Sequence, residues 1–135
     1  MLNFSAYPPQ VNPLETVAAW EDALNARDAQ RLIAHSSPEI ELVGPRGSAR
    51  GHAVLETWLA QAHFSAETKR RFHSGATVVC AQIGTWRDAQ DEEVTAQKPV
   101  ATHYRVLEAQ VVYIARFDDL ERALHDAGLT EQTEV

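Results

Sequence analysis

The sequence predicts a single α+β domain in which helices come first and strands follow, and three observations predict it. The chain has 135 residues, a single-domain length that can bury roughly two-thirds of its unfolded surface, and it shows no internal repeat. Apolar residues recur at helical spacing early on, with Leu14, Val17, Trp20 and Leu24 on one stripe and Val54, Leu55, Trp58, Leu59 and Ala62 on another. From Thr68 the pattern changes to short β-prone runs separated by turn residues. The domain is expected over residues 13–128, after an N-terminal arm of residues 1–12 and before a C-terminal tail of residues 129–135.

Asn12-Pro13-Leu14-Glu15 reads as the start of the first helix, with Asn as cap, Pro in the first turn and Glu three residues after the cap. Glu15, Glu21, Asp22 and Asn25 fall off its apolar stripe. Asp28 caps a shorter helix that runs to His35 around Leu32, Ile33 and Ala34. Pro38 stops it, and Glu39 to Val43 alternates as a short strand. Gly44-Pro45-Arg46-Gly47 is a turn, and Gly51 ends the connection to a third helix over residues 52–62. Strands follow over 68–74, 76–86, 99–107 and 111–117, separated by Gly75, by a polar acidic loop over 88–98 and by the tight turn 108–110. A last helix spans 118–127, with Asp118 as cap, Glu121 completing a capping box and Gly128 as the left-handed stop.

Residues 76–83 and 111–117 carry apolar side chains on both strand faces, where a half-solvated sheet would alternate. The N-terminal helices can cover one face only. The other is expected to pack on a second copy, giving a homodimer through the outer sheet face.

A net charge of −7 disfavours nucleic acid, which needs clustered Lys and Arg. The one basic run, Lys69-Arg70-Arg71, sits beside Glu67 as a solvated strand face would. The start of the chain has no basic segment ahead of an apolar one and carries Pro8-Pro9, and no apolar stretch reaches about 18 residues, so no membrane span is expected. A cytoplasmic location follows as the default expectation.

Cys80 is the single cysteine, so neither a disulfide nor a thiolate cluster can form within the chain. The six histidines, at 35, 52, 63, 73, 103 and 125, include no pair two, three or four residues apart, which removes the compact metal-binding spacings. There is no Gly-x-Ser-x-Gly elbow and no Gly-x-Gly phosphate loop. No metal and no cofactor is expected.

Three segments resemble the nuclear transport factor 2-like superfamily, which includes the SnoaL-like polyketide cyclases and the ketosteroid isomerases. They are Val17 to Asp28 (VAAWEDALNARD), the strand and turn from Glu39 to Gly51, and the ending Ile114 to Leu120 (IARFDDL). The likeness covers about residues 13–128, and the order of the segments carries it more than any one of them. It implies a cystatin-like cone: a curved antiparallel sheet wrapped around the N-terminal helices, with an internal pocket, commonly dimeric through the outer sheet face. It also implies departures from the isomerases. Trp20 stands where they use a tyrosine, Leu42 where they carry the general-base aspartate, and Thr102 near their second, protonated aspartate. Their mechanism is therefore not expected here. The SnoaL-like cyclases place an acidic residue near the end of the last strand, where Asp118, or Asp119 one residue on, is found.

Aligned this way, the pocket face carries Trp20, Leu42 and Trp58, then Phe72, Cys80, Gln82 and Trp86, then Thr102, Tyr104, Ile114, Arg116 and Asp118. A mostly apolar lining with a few polar groups suits a small hydrophobic molecule. Trp20 and Trp58 also read as plain core, since aromatics at helical spacing usually pack. Gln82 interrupts an apolar run and must meet a neighbour or a wet cavity. Arg116 is either a rim residue reaching solvent or a fixed cation for an anionic or carbonyl group. Asp118, the best candidate for moving a proton, reads first as a helix cap, and capping would weaken it as a base. Tyr104 in the pocket would send its neighbour His103 to the outer face. Two functions stay open: a homodimeric binder of a hydrophobic carbonyl-containing ligand, with acid–base catalysis in some cofactor-independent form, and a non-catalytic dimeric interaction module whose cone is filled by its own side chains.

Overall fold

Local signals start the first two helices where the sequence places them. In the computed structural model, which describes residues 12–44, 47–90 and 92–135, the Asn12 side chain accepts a hydrogen bond from the Leu14 amide at 2.8 Å and opens α1 (Pro13–Asn25). Asp28 does the same for α2 (Ala29–Ala34) through the Arg31 amide at 3.1 Å. Such caps satisfy amide donors that the first helical turn leaves unpaired. The expected N-terminal arm, apart from Asn12, and Pro45-Arg46 of the expected turn lie outside the described residues.

The chain continues as β1 (Ser36–Gly44), β2 (Gly47–Arg50), α3 (His52–Ala62), β3 (Phe64–Ser74), β4 (Thr77–Arg87), β5 (Val94–Leu107), β6 (Gln110–Phe117) and α4 (Leu120–Ala127), then a short 3-10 turn (Glu131–Thr133). The six strands form one open sheet in the order β2-β1-β6-β5-β4-β3. It is mixed, where an antiparallel sheet was expected: β1 and β6 run parallel, pairing Leu42 with Ile114, with α3 and four strands between them in the chain. Register shifts in β1, β3, β4 and β5 mark the bulges that bend it. The fold is a curved α+β cone.

Four strands differ from expectation. β1 begins at Ser36, ahead of Pro38, which sits within a register shift where a ladder hydrogen bond is not needed. Residues 47–50 pair with β1 as a strand where only a connection was expected. β3 and β5 extend to Phe64 and Val94, since the distal part of β5 is exposed and polar side chains there cost nothing.

Helices α1, α2 and α3 lie in the concave face. Val17, Trp20, Leu24, Leu32, Leu55 and Leu59 pack there against inward-facing strand residues. A second cluster occupies the convex face, where Ala123 and Leu124 of α4 cover Phe72, Val79 and Ala101. The apolar outer face that suggested a second copy is thus covered over these positions by the chain's own last helix. α4 is capped by Asp119, whose carboxylate accepts from the Arg122 amide at 2.8 Å, and not by Asp118 as expected. Beyond it, the chain docks on the edge strand β3: the Val135 amide donates to the Arg71 carbonyl, and Arg70 pairs with Glu131 and Glu134. Among the described residues no helix is long and apolar enough to cross a membrane.

Candidate functional site

Between the helices and the concave sheet face lies a cavity of about 430 Å³. Eight of the twelve expected residues line it: Trp20, Leu42, Trp58, Gln82, Thr102, Tyr104, Ile114 and Arg116. β1, β2 and α3 frame its open side with Val43, Gly44, Ser48, Ala49 and Val54.

Four expected residues are elsewhere. Phe72 is fully buried in the convex cluster beneath α4. The cause is a bulge: Thr68 pairs with Gln82 and Arg70 with Ala81, so Lys69 is an extra residue and every later side chain of β3 changes face. Cys80 stays on the concave face but is sealed in the core, where burial and then nearby Glu21 push its thiol well up, so it is held as a neutral thiol. Trp86 stands behind Phe64, their ring centroids 4.9 Å apart, at the rim of the cavity. Asp118 stands outside the wall with its side chain 82% exposed and Lys98 at 3.4 Å.

The floor is polar. The Gln82 amide nitrogen donates to Glu21 at 2.9 Å, and the Thr102 hydroxyl donates to the Gln82 carbonyl oxygen at 2.8 Å. Glu21 also accepts from Thr68 at 3.0 Å, from Arg71 at 2.7 Å and, more distantly, from the Tyr104 hydroxyl at 3.4 Å. Burial and then Glu21 raise the Tyr104 hydroxyl well above its ordinary range, so it remains a phenol. Tyr104 packs edge-on against Trp20, whose indole N–H is committed to Ser36 at 2.9 Å. The sequence reading put Glu21 off the apolar stripe of the first helix, yet it is 5% exposed. The signal was present: Glu21 falls four residues after Val17 and three before Leu24, within the apolar stripe.

Arg116 forms the cationic wall. Its guanidinium carbon lies 4.1 Å from the centroid of the Phe64 ring and within 6.0 Å of those of Trp58 and Trp86. Gly84 makes room for this aromatic corner, since a Cβ there would fall 2.8 Å from Phe64. Among the described residues nothing hydrogen-bonds the guanidinium, and burial lowers its pKa. Phe64 was missed because β3 was expected to begin after it.

Chemically, the site offers apolar walls, one fixed cation and a hydroxyl floor backed by a carboxylate. Among the described residues no three His, Cys, Asp or Glu side chains come together to hold a metal ion.

No protein-family model and no curated protein sequence matches the chain. Solved structures match its fold. An NTF2-like protein of unknown function from Cytophaga hutchinsonii superposes with a TM-score of 0.71 at 14% identity, over 88% of this chain and 99% of that one. TerC, co-crystallized with polyporic acid, gives 0.69 at 16% identity over 85% and 96%. A protein with a ketosteroid isomerase-like fold from Catenulispora acidiphila, in complex with trimethylamine, gives 0.66 at 17% over 86% and 94%. The chain has the NTF2-like cone fold.

Proposed function

We propose that the protein binds a small, flat, mostly apolar molecule bearing an anionic or carbonyl oxygen, with Arg116 as partner to that oxygen. The carrying observation is the Arg116 guanidinium itself, spread on Phe64 in the cavity wall with no hydrogen-bonded acceptor among the described residues. A cation drawn out of water gains from an acceptor, and a guanidinium presents donors in a planar fork that suits a carboxylate. Two neighbours of the same fold hold small molecules, polyporic acid and trimethylamine, which supports a ligand in this interior. The open cavity, with Gln82 and Arg116 on its wall, favours a binder over a cone plugged by its own side chains. No catalytic step is assigned to Asp118, which stands outside the wall. A homodimer is not needed to explain Phe72, Val79 and Ala101, which α4 covers.

The test is a thermal-shift screen of aromatic acids against the matching alcohols and amines. Acids should raise the unfolding midpoint, and Arg116→Gln should weaken their binding about tenfold or more, the usual worth of a charge-assisted hydrogen bond. Equal stabilisation of both proteins would remove Arg116 from the site.

A further inference from the structure

The hydrogen-bond directions on the cavity floor determine which end of a ligand can sit there. Glu21 starts the chain. Its carboxylate accepts and does not donate, and Arg71 at 2.7 Å holds one of its oxygens. The other oxygen is met by the Gln82 side chain at 2.9 Å. Only the NH₂ end of that amide can face a carboxylate, because the carbonyl end would set two acceptors against each other. Gln82 is therefore oriented by Glu21, and its carbonyl oxygen points to Thr102.

A carbonyl oxygen only accepts, so at 2.8 Å the single hydroxyl hydrogen of Thr102 is spent on Gln82. The remaining donors of the floor are also directed inward. Gln82 has its second N–H near Thr68 at 3.4 Å, and the Tyr104 hydroxyl is directed to Glu21 at 3.4 Å. Thr102 lines the cavity, and with its hydrogen spent its hydroxyl oxygen can only accept. Arg116, its direct cross-strand partner on β6, presents N–H groups only. The polar groups of one cavity thus have opposite sense: an acceptor floor and a donor wall.

We propose that the ligand is a hydroxylated aromatic acid, its acidic group on Arg116 and its hydroxyl donating to Thr102 Oγ. This rests on the binding role proposed above and adds the second contact. An acid with no donor at its far end leaves the Thr102 lone pairs dry and unpaired, and an ether oxygen there would oppose them, so both are disfavoured.

Calorimetric titration with para-hydroxycinnamate, cinnamate, para-methoxycinnamate and para-hydroxycinnamyl alcohol tests the two contacts separately. The hydroxy acid should bind about five- to tenfold tighter than cinnamate, one neutral hydrogen bond's worth, with the methoxy acid no tighter than cinnamate. Thr102→Val should bring the hydroxy acid down to the level of cinnamate, and Thr102→Ser should retain the preference. Should the valine variant fail to fold, the four-ligand series on the unaltered protein decides alone. Acids that bind through Arg116 with no preference for the hydroxyl overturn the hydroxylated ligand and leave the anion-binding role standing. Acids that bind no better than the alcohol, or equally well to Arg116→Gln, overturn both.

Discussion

A guanidinium laid on an aromatic face keeps its charge while giving up part of its water, and this makes Arg116 more receptive to an anion than an arginine in solvent. Its position was legible in the sequence as a cation on an otherwise apolar strand, sharing the pocket face with Trp58 and Trp86; Phe64 was not, because β3 was expected to begin after it. Glu21 shows the reverse case, a buried acid that the pairing of β3 with β4 makes tolerable by delivering Arg71, Thr68 and Gln82 to it. On the convex face, Tyr113 donates to Asp126 at 3.1 Å, and burial together with that carboxylate pushes its hydroxyl up to about 12. A phenol whose folded pKa exceeds its unfolded value near 10 contributes stability that is complete below pH ~10 and is lost as the pH rises toward about 12. Difference-absorbance titration should therefore show a phenolate step near pH 12 that Tyr113→Phe removes, and Tyr113→Phe should flatten the alkaline fall in unfolding midpoint. A step near pH 10 from Tyr113 would contradict this.

Elements were legible wherever the cue was local. The caps at Asn12 and Asp28, the stop at Gly128 and the third helix all fall where composition and spacing put them. The bulge at Lys69 was not legible, since a one-residue insertion leaves the hydrophobic pattern of β3 unchanged and alters only which face each half presents. That bulge lets one strand line the cavity with Phe64 and Ala66 and anchor α4 with Phe72. Gly84 serves the same region of β4. Gly84→Ala should destabilise the protein by about 1–3 kcal/mol through overpacking against Phe64, read from denaturant melts, and should weaken aromatic-acid binding by displacing the ring beneath Arg116. A neutral effect on both would mean the corner is looser than described.

For the whole molecule, covering the convex face with α4 changes what the apolar outer strands signify. Two-faced hydrophobicity in β4 reads from sequence as a surface for a second copy, but it equally marks a layer between two sets of helices, and only tertiary packing separates the two. If α4 shields Phe72, Val79 and Ala101, replacing Leu124 with Asp should loosen the helix, and light scattering at micromolar concentration should give a larger mass than for the unaltered protein. Equal masses would show that α4 is not the shield.

The two margins of the sheet are treated differently. β3 is sealed by the chain's last residues, which bridge Phe72 to Glu134, whereas β2 is four exposed residues with nothing described beyond it. Because Gly47, Ser48 and Ala49 of β2 also border the cavity, the unguarded backbone and the doorway coincide.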